Sequence, residues 1–158
     1  MSWGSPRSRA AFPGREPFWR DRQQFLRELP DGVRGLLPAE LRDFTTRARG
    51  GLTQLYYQDP SVHFEAWFHW KTNRLELGLH FEKSARDNER LFDAFDRRIV
   101  EIKCELGESI DLERWEKGWV RLYETWPCEK VDRSFQDQLT ERLARIIAVL
   151  QPMLDEFE

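Results

Sequence analysis

The histidines of this chain fall within one stretch, in which they alternate with glutamates. The stretch is VHFEAWFHWKTNRLELGLHFE, residues 62–82, and it contains all three histidines of the 158-residue chain: His63, His69 and His80. Imidazole and carboxylate groups are ligands for zinc or iron, and a histidine beside a carboxylate titrates near neutral pH. These residue types therefore fit a metal site or an acid–base pair.

The same stretch has the period of a β-hairpin that turns near KTNR. Apolar residues occupy every second position: Val62, Phe64, Ala66, Phe68 and Trp70, then Leu75, Leu77, Leu79 and Phe81. The histidines, glutamates and Trp67 then share the other face. We expect Trp70 to lie opposite Leu75, because every polar residue then has a complementary partner. The pairs expected in this register are His69–Glu76, Trp67–Gly78, Glu65–His80 and His63–Glu82.

Two interpretations of this polar face compete. In one it is a noncatalytic binding surface, because aromatic residues mixed with charges are typical of protein interfaces; its residues are Trp67, His63, His80, Trp119 and Tyr123. In the other it is the centre of a metal-dependent hydrolase, formed by His63, Glu65, His80 and Glu82.

Spacing favours the noncatalytic interpretation. Successive pairs on one face lie about 6.8 Å apart, whereas the ligands of one ion lie within about 2.0–2.2 Å of it. The three histidines therefore cannot all share one ion. We expect no catalytic residues and no cofactor, and we expect a protein partner or a second copy of the chain, as in a homodimer.

The rest of the sequence predicts helices and a second hairpin. A helix from Pro17 should end at LPDG, and a short second helix should run from Pro38 to Gly50. A possible edge strand at 52–58, a helix over 87–106, a hairpin turning at EKG and a helix over 134–150 follow. The fold class is α+β: an antiparallel sheet of four or five strands in two hairpins, packed on two long helices, with two shorter N-terminal helices. Residues 16–158 should form one domain, after a disordered basic arm at 1–15.

Charge and composition exclude several function classes. Residues 1–50 carry ten arginines against six acids, which leaves fifteen basic and twenty-two acidic residues in 51–158. A cationic face for nucleic acid is therefore conceivable only in the arm. Cys104 and Cys128 have neither zinc-ligand nor disulfide-framework spacing. The sequence shows no secretion signal and no segment of about 20 apolar residues that could enter a membrane, which predicts a cytoplasmic protein.

Several segments resemble a known bacterial family. They are RLELGLHFE, NERLFDAF, ELGE, LERWEKG and ERLARIIAVLQPML, and together they cover about residues 62–154. The sequence resembles the domain-of-unknown-function family 4268, whose members are often found beside PD-(D/E)XK-type nuclease domains. The resemblance implies an accessory module in phage defence or DNA transactions. This sequence has no segment like the nuclease domain, and the resemblance transfers no catalytic residue.

Overall fold

The computed structural model describes residues 16–157, so the arm predicted at 1–15 lies outside the described residues. The helices in this range are α1 (Glu16–Leu36), α2 (Ala85–Asp96), α3 (Ile99–Leu106) and α4 (Arg133–Phe157). The strands are β1 (Thr45–Arg49), β2 (Leu52–Tyr56), β3 (Val62–His69), β4 (Arg74–Phe81), β5 (Asp111–Arg114) and β6 (Val120–Pro127). They form an antiparallel sheet in the order β1-β2-β3-β4-β6-β5. The α+β class and the antiparallel sheet are thus confirmed.

The predicted number of strands is wrong, because the described residues form six. The expected second helix is reduced to a 3-10 turn at Ala39–Leu41, and the chain then enters β1. β1 pairs with β2 through a two-residue connection in which Gly50 has φ 57°, a conformation that glycine adopts at little cost. The strand expected at 52–58 is therefore internal, and β1 forms the sheet edge.

The LPDG segment does not end α1, which continues to Leu36. Pro30 has no N–H to donate to the carbonyl of Leu26, four residues earlier. The hydroxyl of Thr53 in β2 donates to that carbonyl at 3.0 Å instead. Because a buried carbonyl needs a donor, this contact lets the helix pass through proline. The N-terminal segment is consequently one long helix where two short ones were expected.

The other helices also differ from the prediction. The helix expected over 87–106 is divided at Arg97 and Arg98 into α2 and α3. The closing helix continues through Pro152 to Phe157, and this last part buries Met153 and Leu154. The apolar burial offsets the backbone hydrogen bond that proline cannot form.

The helices pack on the apolar face of the sheet. The ring of Phe25 in α1 contacts that of Phe68 in β3, with centroids 6.3 Å apart, and Phe95 in α2 stacks on Phe81 in β4 at 5.4 Å. Since α1 belongs to this layer, it packs on the apolar face of the sheet and not on the histidine face. The opposite face of the sheet is free to hold polar groups.

The register of the β3–β4 hairpin differs from the predicted one by two residues. His63 lies opposite His80, Glu65 opposite Gly78 and Trp67 opposite Glu76. Because the shift is even, every side chain keeps its predicted face. Polar cross-strand pairs contribute only about 0.2–1 kcal/mol each, so complementarity among them does not fix the register. The predicted pairing of Trp67 with Gly78 is therefore wrong.

Among residues 16–157, no helix has the length and hydropathy that a membrane span requires.

Candidate metal centre and adjoining cavity

Strands β3 and β4 bring four donor residues together. The period of two places His63 and Glu65 on the same face as His80, which lies directly across from His63. Glu82 follows β4, and its backbone N–H donates to the carbonyl of Ser61 at 2.7 Å. This bond extends the pairing of the two strands past their ends, so Glu82 joins the same face.

The donor atoms of His63, Glu65, His80 and Glu82 converge. One ligand atom from each residue lies within 4.8 Å of the other three. Nε2 of His63 is 3.2 Å from Oε1 of Glu65 and 3.6 Å from Oε2 of Glu82, and Nδ1 of His80 is 3.7 Å from the same Glu82 oxygen. Four ligands at 2.0–2.2 Å from a tetrahedral ion lie roughly 3.3–3.6 Å apart. These three separations match a metal-ligand set to within a few tenths of an ångström, and the four atoms as a set lie within 4.8 Å, so a bound ion would draw them slightly closer.

Contacts behind the two imidazoles fix which nitrogen faces this cluster. Nδ1 of His63 lies 2.9 Å from the carbonyl oxygen of Pro60, which can only accept, so Nδ1 carries a proton. Nε2 of His80 donates to Oε2 of Glu76 at 2.7 Å, and Glu76 also accepts from Arg121 at 2.7 Å. Partners of this kind orient the histidine ligands of metal ions.

Nδ1 of His80 is a buried polar atom without a hydrogen-bond partner. The ring itself is fully buried. Buried polar groups are normally satisfied, so each exception needs an explanation. A ligand that Nδ1 would share with Glu82 provides one.

The amide of Gln54 in β2 lies beside the donor cluster. Its nitrogen is 3.1 Å from Nε2 of His63 and 3.2 Å from Oε1 of Glu65, and the residue also lines the cavity. This amide must rotate away from His63 for that nitrogen to bind an ion.

The electrostatics of the cluster favour positive charge. Burial would raise the pKa of Glu76, but hydrogen bonds from His69 and His80 and the charge of Arg121 lower it to about 2. Burial would lower the pKa of His80, but the charge of Glu65 and the contact with Glu76 raise it to about 10. Burial would also raise the pKa of Glu65, yet the neighbouring histidines lower it. The buried carboxylates thus stabilise a cation among them. Without a metal ion that cation is protonated His80, so an ion that binds Nδ1 of His80 must displace its proton.

A cavity of about 280 Å³ opens onto this cluster. Glu65 and Glu82 belong to its lining, and so do three tryptophans, Trp67, Trp115 and Trp119. The two carboxylates therefore lie between the cavity and the imidazoles. Any small molecule in this cavity would lie beside the donor cluster.

The loop between β5 and β6 forms one wall of the cavity. Lys117 and Gly118 have φ of 63° and 73°, which turns the chain tightly, and the N–H of Trp115 donates to the carbonyl of Trp119 at 2.9 Å. Asn88 in α2 donates to the carbonyl of Gly118 at 2.9 Å. This anchoring positions the Trp115 ring edge-on to His80, with centroids 5.8 Å apart.

The residues predicted as a docking face lie in different surroundings. His63, His80 and Trp67 are buried, at 1%, 0% and 6% exposure, whereas Trp119 and Tyr123 are half-buried. Trp67 and Trp119 meet at the cavity. Tyr123 lies apart from it, and its hydroxyl donates to Glu113 at 2.9 Å.

Sequence reasoning missed Arg121 and Trp115. Arg121 contacts Glu76, and its guanidinium carbon lies 4.7 Å from the centroid of the Trp115 ring. The alternation of β6 could have placed Arg121 on the polar face with Tyr123, but its position opposite His80 depends on the β4–β6 register. Trp115 gave no comparable signal, because it lies in the turn.

No protein-family model, no curated protein and no solved structure matches this chain. The resemblance to family 4268 accordingly stays an expectation, and the interpretation of the site depends on its geometry.

Proposed function

We propose that this protein binds one divalent transition-metal ion and acts as a metal-dependent hydrolase. The ligands are His63, Glu65, His80 and Glu82. The observation that carries the proposal is the convergence of their four donor atoms within 4.8 Å. The buried Nδ1 of His80, which has no hydrogen-bond partner, also supports it.

The donor set indicates the class of ion. Imidazole with carboxylate suits zinc, iron and manganese, whereas calcium and magnesium prefer oxygen ligands alone. Two carboxylates balance the charge of a divalent ion. Of the four ligands, Glu65 and Glu82 line the cavity, so a substrate approaches the ion from the carboxylate side.

The arrangement supports hydrolysis as the reaction. A zinc ion held by these four residues would lower the pKa of a bound water from 15.7 to about 7 and would polarise a carbonyl or phosphoryl oxygen. The Glu82 side chain is 21% exposed. The oxygen of Glu82 that does not bind the ion is thus placed to accept a proton from that water. The tryptophans of the cavity would limit access of bulk solvent.

Metal analysis of untagged protein tests the proposal. We expect about one zinc, iron or manganese ion per chain, removable by a chelator and restored by adding the ion. His80→Gln should reduce the bound metal at least about tenfold. His69→Gln is the matched control, because His69 contacts Glu76 and is not among the four donors. Protein without stoichiometric metal, and with none regained on addition, would refute the proposal.

Binding of a protein partner through the predicted surface, which contains Trp67 and Trp119, stays a prediction. Trp67 is buried and its ring lies 3.9 Å from that of His69, so replacing it would also disturb the sheet. Trp119→Glu is a cleaner variant, because Trp119 is only half-buried. If the chain self-associates through this face, Trp119→Glu should lower the mass measured by light scattering.

A further inference from the structure

The walls of the cavity are suited to a flat molecule. Three of its lining residues are Trp67, Trp115 and Trp119, and the rings of the last two lie 5.8 Å apart at 56°. Leu52 adds a further apolar surface. A volume of about 280 Å³ is near the lower end of ligand pockets, which begin at about 300 Å³. The cavity therefore fits a compound of one or two rings.

The charges of the lining favour an anion. Arg49 and Lys117 line the cavity, and neither forms an ion pair with an acid in the part of the chain that the structure describes. The net positive charge of the lining rests on the proposed function, since a divalent ion would balance the negative charges of Glu65 and Glu82. The two cations then outnumber Glu116, the remaining acid of the lining.

A hydrogen-bond donor in the lining also has no acceptor. Nε1 of Trp115 is buried and has no hydrogen-bond partner among the described residues. An indole N–H can only donate, so the missing partner is an oxygen or nitrogen acceptor. An oxyanion would both accept this N–H and offset the two cations.

We propose that the cavity binds a small planar organic anion beside the metal ion. The flat body of this ligand packs against the indoles, and its carboxylate or phosphate accepts the Trp115 N–H and is attracted to Lys117 and Arg49. Aromatic packing and a charge-assisted hydrogen bond together give selectivity for compounds that are both flat and anionic.

Four probes test the proposal with zinc-loaded protein in calorimetric titrations. Benzoate and phenyl phosphate are flat anions that differ in their oxyanion, benzamide is flat and neutral, and cyclohexanecarboxylate is anionic and not flat. We expect at least one flat anion to bind about tenfold more tightly than both other probes, since a hydrogen bond to a charged group contributes about 1.5–3 kcal/mol. The preferred anion identifies the oxyanion class.

Two variants locate the interaction. Trp115→Phe keeps an aromatic ring and removes the N–H, and Lys117→Gln removes a cation. Each should weaken binding of the preferred anion about fivefold or more. Lys117→Gln should leave the binding of neutral benzamide unchanged. Lys130→Gln is the control, since the Lys130 side chain is 80% exposed and is not part of the lining.

The outcomes separate the two proposals. Protein that contains stoichiometric zinc and binds all four probes alike, or none, overturns the ligand proposal and leaves the metal centre in place. Protein that takes up no metal overturns both. Unchanged affinity for the preferred anion in both variants also overturns the ligand proposal.

Discussion

The imidazole rings of His63 and His80 stack across β3 and β4, with centroids 5.6 Å apart and planes inclined by 12°. Both rings reach the same oxygen, Oε2 of Glu82, through Nε2 of His63 at 3.6 Å and Nδ1 of His80 at 3.7 Å. Glu82 is therefore the carboxylate that approaches both imidazoles with one oxygen, which makes it the first residue to test.

Replacing Glu82 with glutamine should weaken metal binding. The change keeps the shape of the side chain and removes the charge that faces both imidazoles. We expect the affinity for zinc or manganese to fall about 100-fold or more, since even changes behind the ligands cost 10–100-fold. Competition with a chromophoric chelator measures this. Glu116→Gln, which changes another acid of the same cavity, should bind as the wild type does; equal losses in the two variants would show a general effect of charge.

Replacing Glu76 with glutamine should also weaken metal binding, without removing a ligand. Glu76 accepts from Nε2 of His80 and so keeps Nδ1 available. We expect metal affinity to fall by about 10–100-fold while stoichiometric binding persists at high metal concentration. The free energy of unfolding should fall by about 1–3 kcal/mol, because a buried hydrogen-bonded pair is broken.

Glu113→Gln provides the control for Glu76→Gln. Glu113 is the other carboxylate that pairs with Arg121, and no ion pair joins it to His80 within residues 16–157. Metal affinity should change less than about threefold in this variant. A larger loss would show that disturbing Arg121 is enough to weaken metal binding. It would contradict a specific role for Glu76.

The alternation of residues 62–82 was enough to predict the two strands and the face of every side chain in them. It also supplied the alternative set His63, Glu65, His80 and Glu82, which the structure brings together. It could not predict the register, since a shift of two residues preserves both faces and polar pairs contribute little. The distance between successive pairs along the strands had argued against a shared metal site. The stacking of His63 on His80 across the two strands brings their donor atoms closer together than that distance suggests.

The missed strand β1 has a different cause. Leu41, Phe44 and Ala48 have helical spacing, but Gly50-Gly51 is equally a signal for a two-residue hairpin. Whether these residues form a helix or a strand depends on whether the edge of β2 is available for pairing. That depends on the tertiary structure and not on the local sequence. The same holds for α1, which passes through Pro30 only because Thr53 lies nearby.

Thr53→Val should destabilise the protein through α1. The valine keeps the shape of threonine and removes the donor to the carbonyl of Leu26. Thr53 is fully buried, so the carbonyl would lose its partner at a cost of about 1–3 kcal/mol in the free energy of unfolding, measured by urea denaturation. Because Pro30→Ala restores a helical N–H to that carbonyl, Thr53→Val should cost less in the Pro30→Ala background. Equal costs in the two backgrounds would contradict this coupling.

Gly78→Ala should separate β4 from β6 and thereby disturb the site. A Cβ at Gly78 would lie 2.5 Å from the carbonyl oxygen of Leu122 and 2.7 Å from the Cβ of Tyr123, so the backbone itself must move. We expect a loss of about 1–3 kcal/mol in the free energy of unfolding, as for overpacked cores. Metal binding should also weaken, because Arg121 directly precedes Leu122 in β6 and pairs with Glu76.

Gly35→Ala is the matched control for Gly78→Ala. Apart from the neighbouring residues and backbone of its own helix, nothing lies within 4 Å of the Cβ added at Gly35, which is in the last turn of α1. Alanine there should be neutral or should stabilise the helix by up to about 1 kcal/mol, since it restricts the unfolded chain. The contrary outcome is that Gly78→Ala proves as stable as Gly35→Ala and binds metal as the wild type does. That result would show that β4 and β6 do not approach each other as closely as the structure has them. It would also contradict the contact of Arg121 with Glu76 behind His80.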